Sequence, residues 1–190
     1  MSTLKVTNIQ QGGATNVAMV LDTAGTVQHY STISVGNATP SSSGAGVTFP
    51  ATQSASTDAN TLDDYEEGTW TVTATPQTSG SITLGSNTGW YTKVGRLVVV
   101  TSKIVVSGVS SPTGFIKISL PFTVGAFSGS ANVIMENTGN STSVTGFWSI
   151  VPSNDTGIGV YLSAATNPSA TSAQQVTATS TFWFTASYFV

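Results

Sequence analysis

Four of the chain's eight carboxylates stand within five residues, as Asp63, Asp64, Glu66 and Glu67. Glycoside hydrolysis needs two carboxyl groups facing a sugar at roughly 5–10 Å, and side chains this close in sequence do not straddle a ring. A calcium loop of the EF-hand kind alternates oxygen ligands around a glycine turn, and the spacing here does not match. The cluster therefore reads as a capping or intersubunit hydrogen-bonding segment, with a metal site as the minor alternative. His29 is the sole imidazole and lies among few large apolar residues, so no Ser–His–Asp constellation can be placed. Gly157-Ile-Gly159 reads as a β-turn or bulge, because no helix follows to bind a phosphate. With no cysteine, disulfides, thiol catalysis and cysteine-built metal sites are absent by count. No catalytic residue, metal or cofactor is expected, and the chain reads as a non-enzyme.

The aromatic side chains offer another chemistry. Tyr65, Trp70, Trp90, Tyr91, Trp148, Tyr161 and Trp183 can stack on sugars beside Ser, Thr and Asn donors, or pack in a core or between subunits. Packing is the general expectation. Trp148, beside the loop at residues 152–157 that carries Asn154, is the candidate for a glycan contact. The Asn-X-Ser/Thr patterns at Asn37, Asn140 and Asn154 are what chance supplies in a chain with 32 Thr and 27 Ser.

Those hydroxyls replace charge. Only 7% of the 190 residues are charged, against roughly 25% in an ordinary soluble domain. Such a surface hydrogen-bonds water and accepts neighbouring subunits without like-charge repulsion or the burial of unpaired ions. It is an assembly composition, with a secreted adhesin as the plainer alternative. A net charge of −3 leaves no basic footprint for nucleic acid. No apolar run approaches the ~20 residues of a membrane span, and residues 1–10 lack a signal-peptide core, so synthesis in a host cytoplasm is expected.

The elements that must position these residues are strands. Residues 69–75 alternate strictly, with Trp70, Val72 and Ala74 on one face and threonines on the other. Residues 97–106 are β-branched and apolar on both faces apart from Thr101, Ser102 and Lys103, which predicts a central strand. Residues 114–120, 131–136, 144–151 and 157–163 repeat the theme between Asn, Gly and Pro clusters. The final strand, 176–190, turns Phe182, Phe184, Ala186 and Tyr188 one way. Trp183 and Phe189 interrupt its polar face, so that face should meet another sheet or another subunit. The pattern predicts an all-β fold, an antiparallel β-sandwich, jelly-roll-like, of seven or eight strands over residues 61–190. A helical turn at 61–67 is the one exception. Residues 1–60 hold two of seventeen aromatics and form an arm of short strands and turns, ordered by other chains rather than by a core of its own.

The run Gly46-Val-Thr-Phe-Pro-Ala-Thr-Gln-Ser-Ala-Ser-Thr-Asp-Ala-Asn-Thr-Leu-Asp-Asp-Tyr-Glu-Glu-Gly-Thr-Trp70 resembles the segment that opens the C-terminal domain of tail-fibre-like virion proteins of bacteriophages, especially marine and cyanobacterial ones. Gly89-Trp-Tyr-Thr-Lys-Val-Gly-Arg96 and Leu120-Pro-Phe-Thr123 resemble that family's next two signatures in the same order. The start, Ser2-Thr-Leu-Lys-Val-Thr-Asn-Ile-Gln10, is similar to starts of such proteins. The resemblance implies a virion component, commonly a homotrimer, with an anchoring arm that contacts other tail or capsid proteins and a distal β-sandwich that contributes to binding the host surface. Because the arm is short, a short tail appendage or a capsid decoration protein is expected rather than a long fibre; a tail-borne depolymerase is the enzymatic alternative.

Within that frame, Asp63, Asp64, Tyr65, Glu66, Glu67, Gly68 and Trp70 are expected to form a structural hinge between arm and sandwich, and Trp90, Tyr91, Lys93, Arg96, Trp183 and Phe189 to pack in the core or between subunits. A carboxylate that loses its partner in a partly buried site is costly, whereas an exposed pair contributes about 0–1 kcal/mol. Asp64→Ala or Glu67→Ala should accordingly lower the melting temperature of the assembled protein in a thermal scan; unchanged melting and assembly would remove the hinge role.

Overall fold

The computed structural model describes residues 8–9, 19–21, 27–29, 32–40, 43, 45–53, 55–139, 144–164, 167–169 and 172–190. The chain forms two compact units, Met1–Asp64 and Tyr65–Val190. In the first, β1 (Asn8–Ile9), β2 (Met19–Leu21) and β3 (Val27–His29) make an antiparallel sheet, and β4 (Ile33–Ser34) pairs in parallel with β5 (Val47–Thr48). The apolar pair at residues 4–6, the turn at 22–25 and the Asn140 sequon lie outside the described residues.

The second unit runs β6 (Tyr65–Thr71), β7 (Ala74–Pro76), β8 (Ser79–Ser86), β9 (Thr88–Val94), β10 (Leu97–Thr113), β11 (Ile116–Ser119), β12 (Ser130–Glu136), β13 (Val144–Ile150), β14 (Gly157–Ala164), β15 (Asn167–Ser169) and β16 (Thr181–Phe189). A single 3₁₀ turn, Ser172–Gln175, precedes the last strand. One sheet has the order β12-β16-β10-β9-β6, with β8 beside the second half of β10; the other has the order β13-β14-β11-β7, with β15 on β14. All pairings in this unit are antiparallel.

The inner faces share one core. Val98, Val100 and Ile104 of β10 and Phe182, Phe184 and Tyr188 of β16 meet Ile116 and Ile118 of β11 and Ile158 and Val160 of β14. Burying each such side chain contributes about 1.5–3 kcal/mol, which is what holds the layers together. The fold is the antiparallel β-sandwich that period-2 alternation predicts. Among the described residues no buried side-chain nitrogen or oxygen lacks a hydrogen-bond partner; Ser102 Oγ, for example, donates to the Thr88 carbonyl at 2.8 Å.

Five details depart from the sequence pattern. Eleven strands are described in this unit where seven or eight are expected, because β7 and β15 have three residues each and β8 offers only Ile82 and Leu84 among Ser, Thr and Gly. The alternation at 69–75 is two strands rather than one. The chain leaves the six-stranded sheet after Thr71, where Val72 N donates to Asn87 O at 2.7 Å, and joins the five-stranded sheet where Thr73 and Ser119 exchange hydrogen bonds. Alternation survives the crossing, since Trp70 is half-buried and Val72 and Ala74 stay buried.

The expected helical turn at 61–67 is also absent: β6 starts at Tyr65, with Tyr65 and Glu67 outward and Glu66 and Gly68 inward. The last strand begins at Thr181 rather than 176, because Thr177 O accepts from Ser180 N and the Thr177 and Ser180 hydroxyls donate to Asn137 O, closing a turn first. Gly157 and Gly159, read as a turn, lie inside β14, where the Lys117 stem and the Tyr161 ring cover them.

Two glycines fix the geometry around β9. Gly95, at φ +55, is the first loop residue of the β9–β10 hairpin, the position that II′-type turns reserve for glycine. Gly89 is the register partner of Trp70, and a Cβ there would stand 2.4 Å from the indole ring. That ring cannot swing away freely, because its Nε1 donates to Ser119 O of the opposite sheet at 3.2 Å and its edge meets Phe184. Gly89→Ala should therefore destabilise the sandwich by about 1–3 kcal/mol through overpacking. A melting curve will show this as a loss of several degrees; an unchanged curve would mean the indole repacks without strain.

Candidate functional site

The outer face of the six-stranded sheet is the chemically unusual surface. Register places its residues in rows. Phe189, Leu97, Val94 and Tyr65 form the first row, Ser130, Ser187, Val99, Thr92 and Glu67 the second, Asn132, Thr185, Thr101, Trp90 and Thr69 the third, and Ile134, Trp183 and Lys103 the fourth. Eight large apolar side chains stand exposed there, among them Ile134 (56%), Trp90 (53%) and Val99 (47%). Hydroxyls and amides fill the spaces between them. Shallow hollows of ≈ 330 and ≈ 380 Å³ flank Asn132 and Thr185.

Charge is confined to the margins of this face. Lys103 Nζ lies 4.4 Å from the centroid of Trp183, and the Arg96 guanidinium 5.8 Å from that of Phe189, while Arg96 Nε donates to Val190 O. Glu67 accepts from the Tyr65 hydroxyl at the edge strand β6, and Glu136 ends β12. The face therefore has an apolar and hydroxyl centre with charged groups at its margins, a contiguous patch rather than scattered single hydrophobics.

On the inner side of the same strands the three quoted motifs meet. Glu66 is the register partner of Lys93, and Gly68 that of Tyr91. The Tyr91 hydroxyl donates to the Glu66 carboxylate, its ring meets Phe122 edge-on at 5.1 Å, and Lys93 Nζ stands 5.9 Å from the Phe122 centroid. Phe122 N in turn donates to the Tyr188 hydroxyl at 3.3 Å. Gly68 has no side chain because the Tyr91 ring occupies the space a Cβ would need.

The residues singled out from sequence thus separate. Asp63 and Asp64 end the first unit, where Asp63 Oδ2 accepts from Ser56 N at 2.7 Å; Tyr65 opens the second. Trp90, Trp183, Phe189 and Arg96 lie on or beside the outer face, while Tyr91 and Lys93 point inward and Trp70 bridges the sheets. Trp148 is exposed on the opposite sheet, stacked on Tyr161. Asn154 occupies a turn at φ +56, its N–H shared between Val124 O and Gly125 O. Val94, Leu97, Val99 and Ile134 were not singled out, although the two-sided apolarity of residues 97–106 is the signal that points to two of them. Among the described residues no three His, Cys, Asp or Glu side chains gather as a metal centre requires, and no helix is long and apolar enough to cross a membrane.

The chain from Tyr65 to Val190 is an antiparallel β-sandwich domain with one outer face rich in exposed apolar side chains. A solved structure similar to it is the Dettilon tailspike protein (gp208), with a TM-score of 0.57 and 26% identity over 66% of this chain. The likeness covers 24% of the tailspike, so this chain spans about a quarter of that protein's length. No protein-family model and no curated protein matches the chain.

The hydrogen bond to Glu66 lifts the Tyr91 phenol from 10.0 to about 12, and burial lifts Tyr188 likewise to about 12. Both folded values lie above the unfolded one, so the stability these phenols contribute is complete below pH 10 and is lost as pH rises toward 12. Melting temperature followed by circular dichroism should hold to about pH 10 and then fall. Tyr91→Phe should flatten that fall, and a variant curve parallel to the parent's would remove Tyr91 from the account.

Proposed function

We propose that this chain is a non-enzymatic structural component of a bacteriophage tail appendage, in which the Tyr65–Val190 sandwich assembles with copies of itself as a homotrimer. The observation that carries the assembly is β10. A strand flanked on both sides within a two-layer sandwich buries one face, yet Leu97 and Val99 are apolar on the other and stand exposed. A second copy supplies the missing layer.

The size of the face suits this role. Five strands about 4.8 Å apart and the nine residues of β16 at about 3.4 Å give roughly 700 Å². Standard interfaces bury about 800 Å² per partner. The likeness to a tailspike supports the tail as the location; in the same reading the arm, residues 1–60, attaches the chain, with the Asp63–Trp70 segment as the hinge. Contact with the host surface belongs to the sandwich.

Mass determination in solution tests the assembly: a particle of three times the 19.4 kDa chain is expected, and a stable monomer would overturn it. Val99→Asp with Trp183→Ser should dissociate the particle without unfolding the sandwich, since both side chains point away from the core. Antibody labelling of virions should mark the tail; labelling of the shell would assign the chain to capsid decoration instead. Release of reducing sugar from host polysaccharide would establish the enzymatic alternative.

A further inference from the structure

The sandwich from Tyr65 to Val190 carries eight ionic side chains, four of each sign. Lys117 is ion-paired with Asp155, and Glu66 and Lys93 are register partners on the inner side. Arg96 Nε donates to Val190 O, and Glu67 accepts from the Tyr65 hydroxyl. That leaves one cation and one anion. Among the described residues neither Lys103 nor Glu136 has a hydrogen-bond or ion-pair partner; the Lys103 ammonium rests on the Trp183 ring at 4.4 Å, and Glu136 ends β12 exposed.

Both project from the outer face of the six-stranded sheet, at the same end. Lys103 shares its row with Trp183 and Ile134, and Glu136 stands in the next row, opposite Thr181, which in turn pairs with Val105. Two strand spacings and one row separate them, roughly 12 Å between Cα atoms. Trp183 stands between β10 and β12 at that height, so within one chain the ammonium meets a ring and not the carboxylate.

In an isolated chain both ions keep most of their water. An interface that covers Trp183 and Ile134 also takes water from Lys103, and a ring face offsets only part of that loss. The ammonium then needs a carboxylate. On this face the choice is between Glu67, two rows away and held by Tyr65, and Glu136, one row away and unengaged.

We propose that Lys103 of one copy and Glu136 of the next form an ion pair across the contact between copies, and that this pair selects the register in which the faces meet. The proposal rests on the homotrimer reading. Sheets packed face to face keep their strands within about 30° of one another, and copies ranged around an axis along the strands meet at equal heights. Apolar rows alone do not choose a register, because they recur about every 6.8 Å along the strand and dispersion contact has no direction. One ionic contact per interface does choose, as a single polar core position does in a coiled coil. A cyclic assembly also suits two unlike groups, since a heterologous contact brings different parts of one surface together.

The test is zero-length coupling of the full-length protein with a water-soluble carbodiimide, which joins an amine to a carboxylate in contact with it. Lys117 and Asp155 should couple within the chain and serve as the internal control. A covalent trimer on a denaturing gel is expected, with Lys103 and Glu136 identified as the linked residues by peptide mass spectrometry, and Lys103→Gln should abolish that band. Lys103→Glu should weaken assembly about thirtyfold or more, and adding Glu136→Lys should restore it to within about threefold. Both positions are exposed, and melting curves check that each variant is folded. A native trimer in which Lys103 couples to another carboxylate or to none, or a double variant that assembles no better than Lys103→Glu, would overturn the proposal and leave the trimer standing. A native dimer linked through Lys103 and Glu136 would overturn the trimer and keep the pair; a monomer would overturn both.

Discussion

A strand between two neighbours in a two-layer sandwich has one face to bury, and β10 is apolar on both. Its inner residues, Val98, Val100, Ile104 and Val106, build the core. Its outer residues Leu97 and Val99 are stranded unless something covers them, and the rows on either side extend the same problem to Val94, Trp90, Ile134, Trp183 and Phe189. Everything else about the surface follows from that imbalance. Charge retreats to the rim, and hydroxyls occupy the spaces between apolar groups.

The inner ends of β6 and β9 show why such a charge-poor chain still spends charge in two places. Glu66 and Lys93 point into the sandwich rather than into water, and each is given an aromatic companion: the Tyr91 hydroxyl for the carboxylate, the Phe122 ring for the ammonium. An unaccompanied ion there would cost several kcal/mol. Phe122 is tied by its own N–H to Tyr188, so the arrangement links the edge strand β6 to the central pair β10 and β16. Three segments far apart in sequence thereby hold one end of the sandwich.

Much of this fold was legible because alternation reports burial directly. β10, β11 and the second half of the last strand could be read from their side chains, as could Trp183 and Phe189 as misfits on a polar face. The crossing at Val72–Thr73 was not, since a strand that changes sheets keeps its period and only its hydrogen-bond partners change, from Asn87 to Ser119. β8 was hidden for a different reason: Ser and Gly supply no pattern, and its register is imposed by bulges against β10. The nearness of Lys103 and Glu136 was invisible for a third, because they reach one end of the same face only through pairing of β16 with both β10 and β12.

The place of β16 has a consequence for how the protein is made. It lies inside its sheet, between β10 and β12, and β12 has no other partner strand there. While the ribosome is still translating the residues before Thr181, β12 has no strand of its sheet to pair with, and the β10–β16 pairing that completes the sheet spans about eighty residues of intervening chain. Trp183 and Phe189 travel on that same strand. A nascent chain can therefore pair β6, β8, β9 and β10 with one another, but one edge of β10 and the whole of β12 wait uncovered until β16 arrives between them.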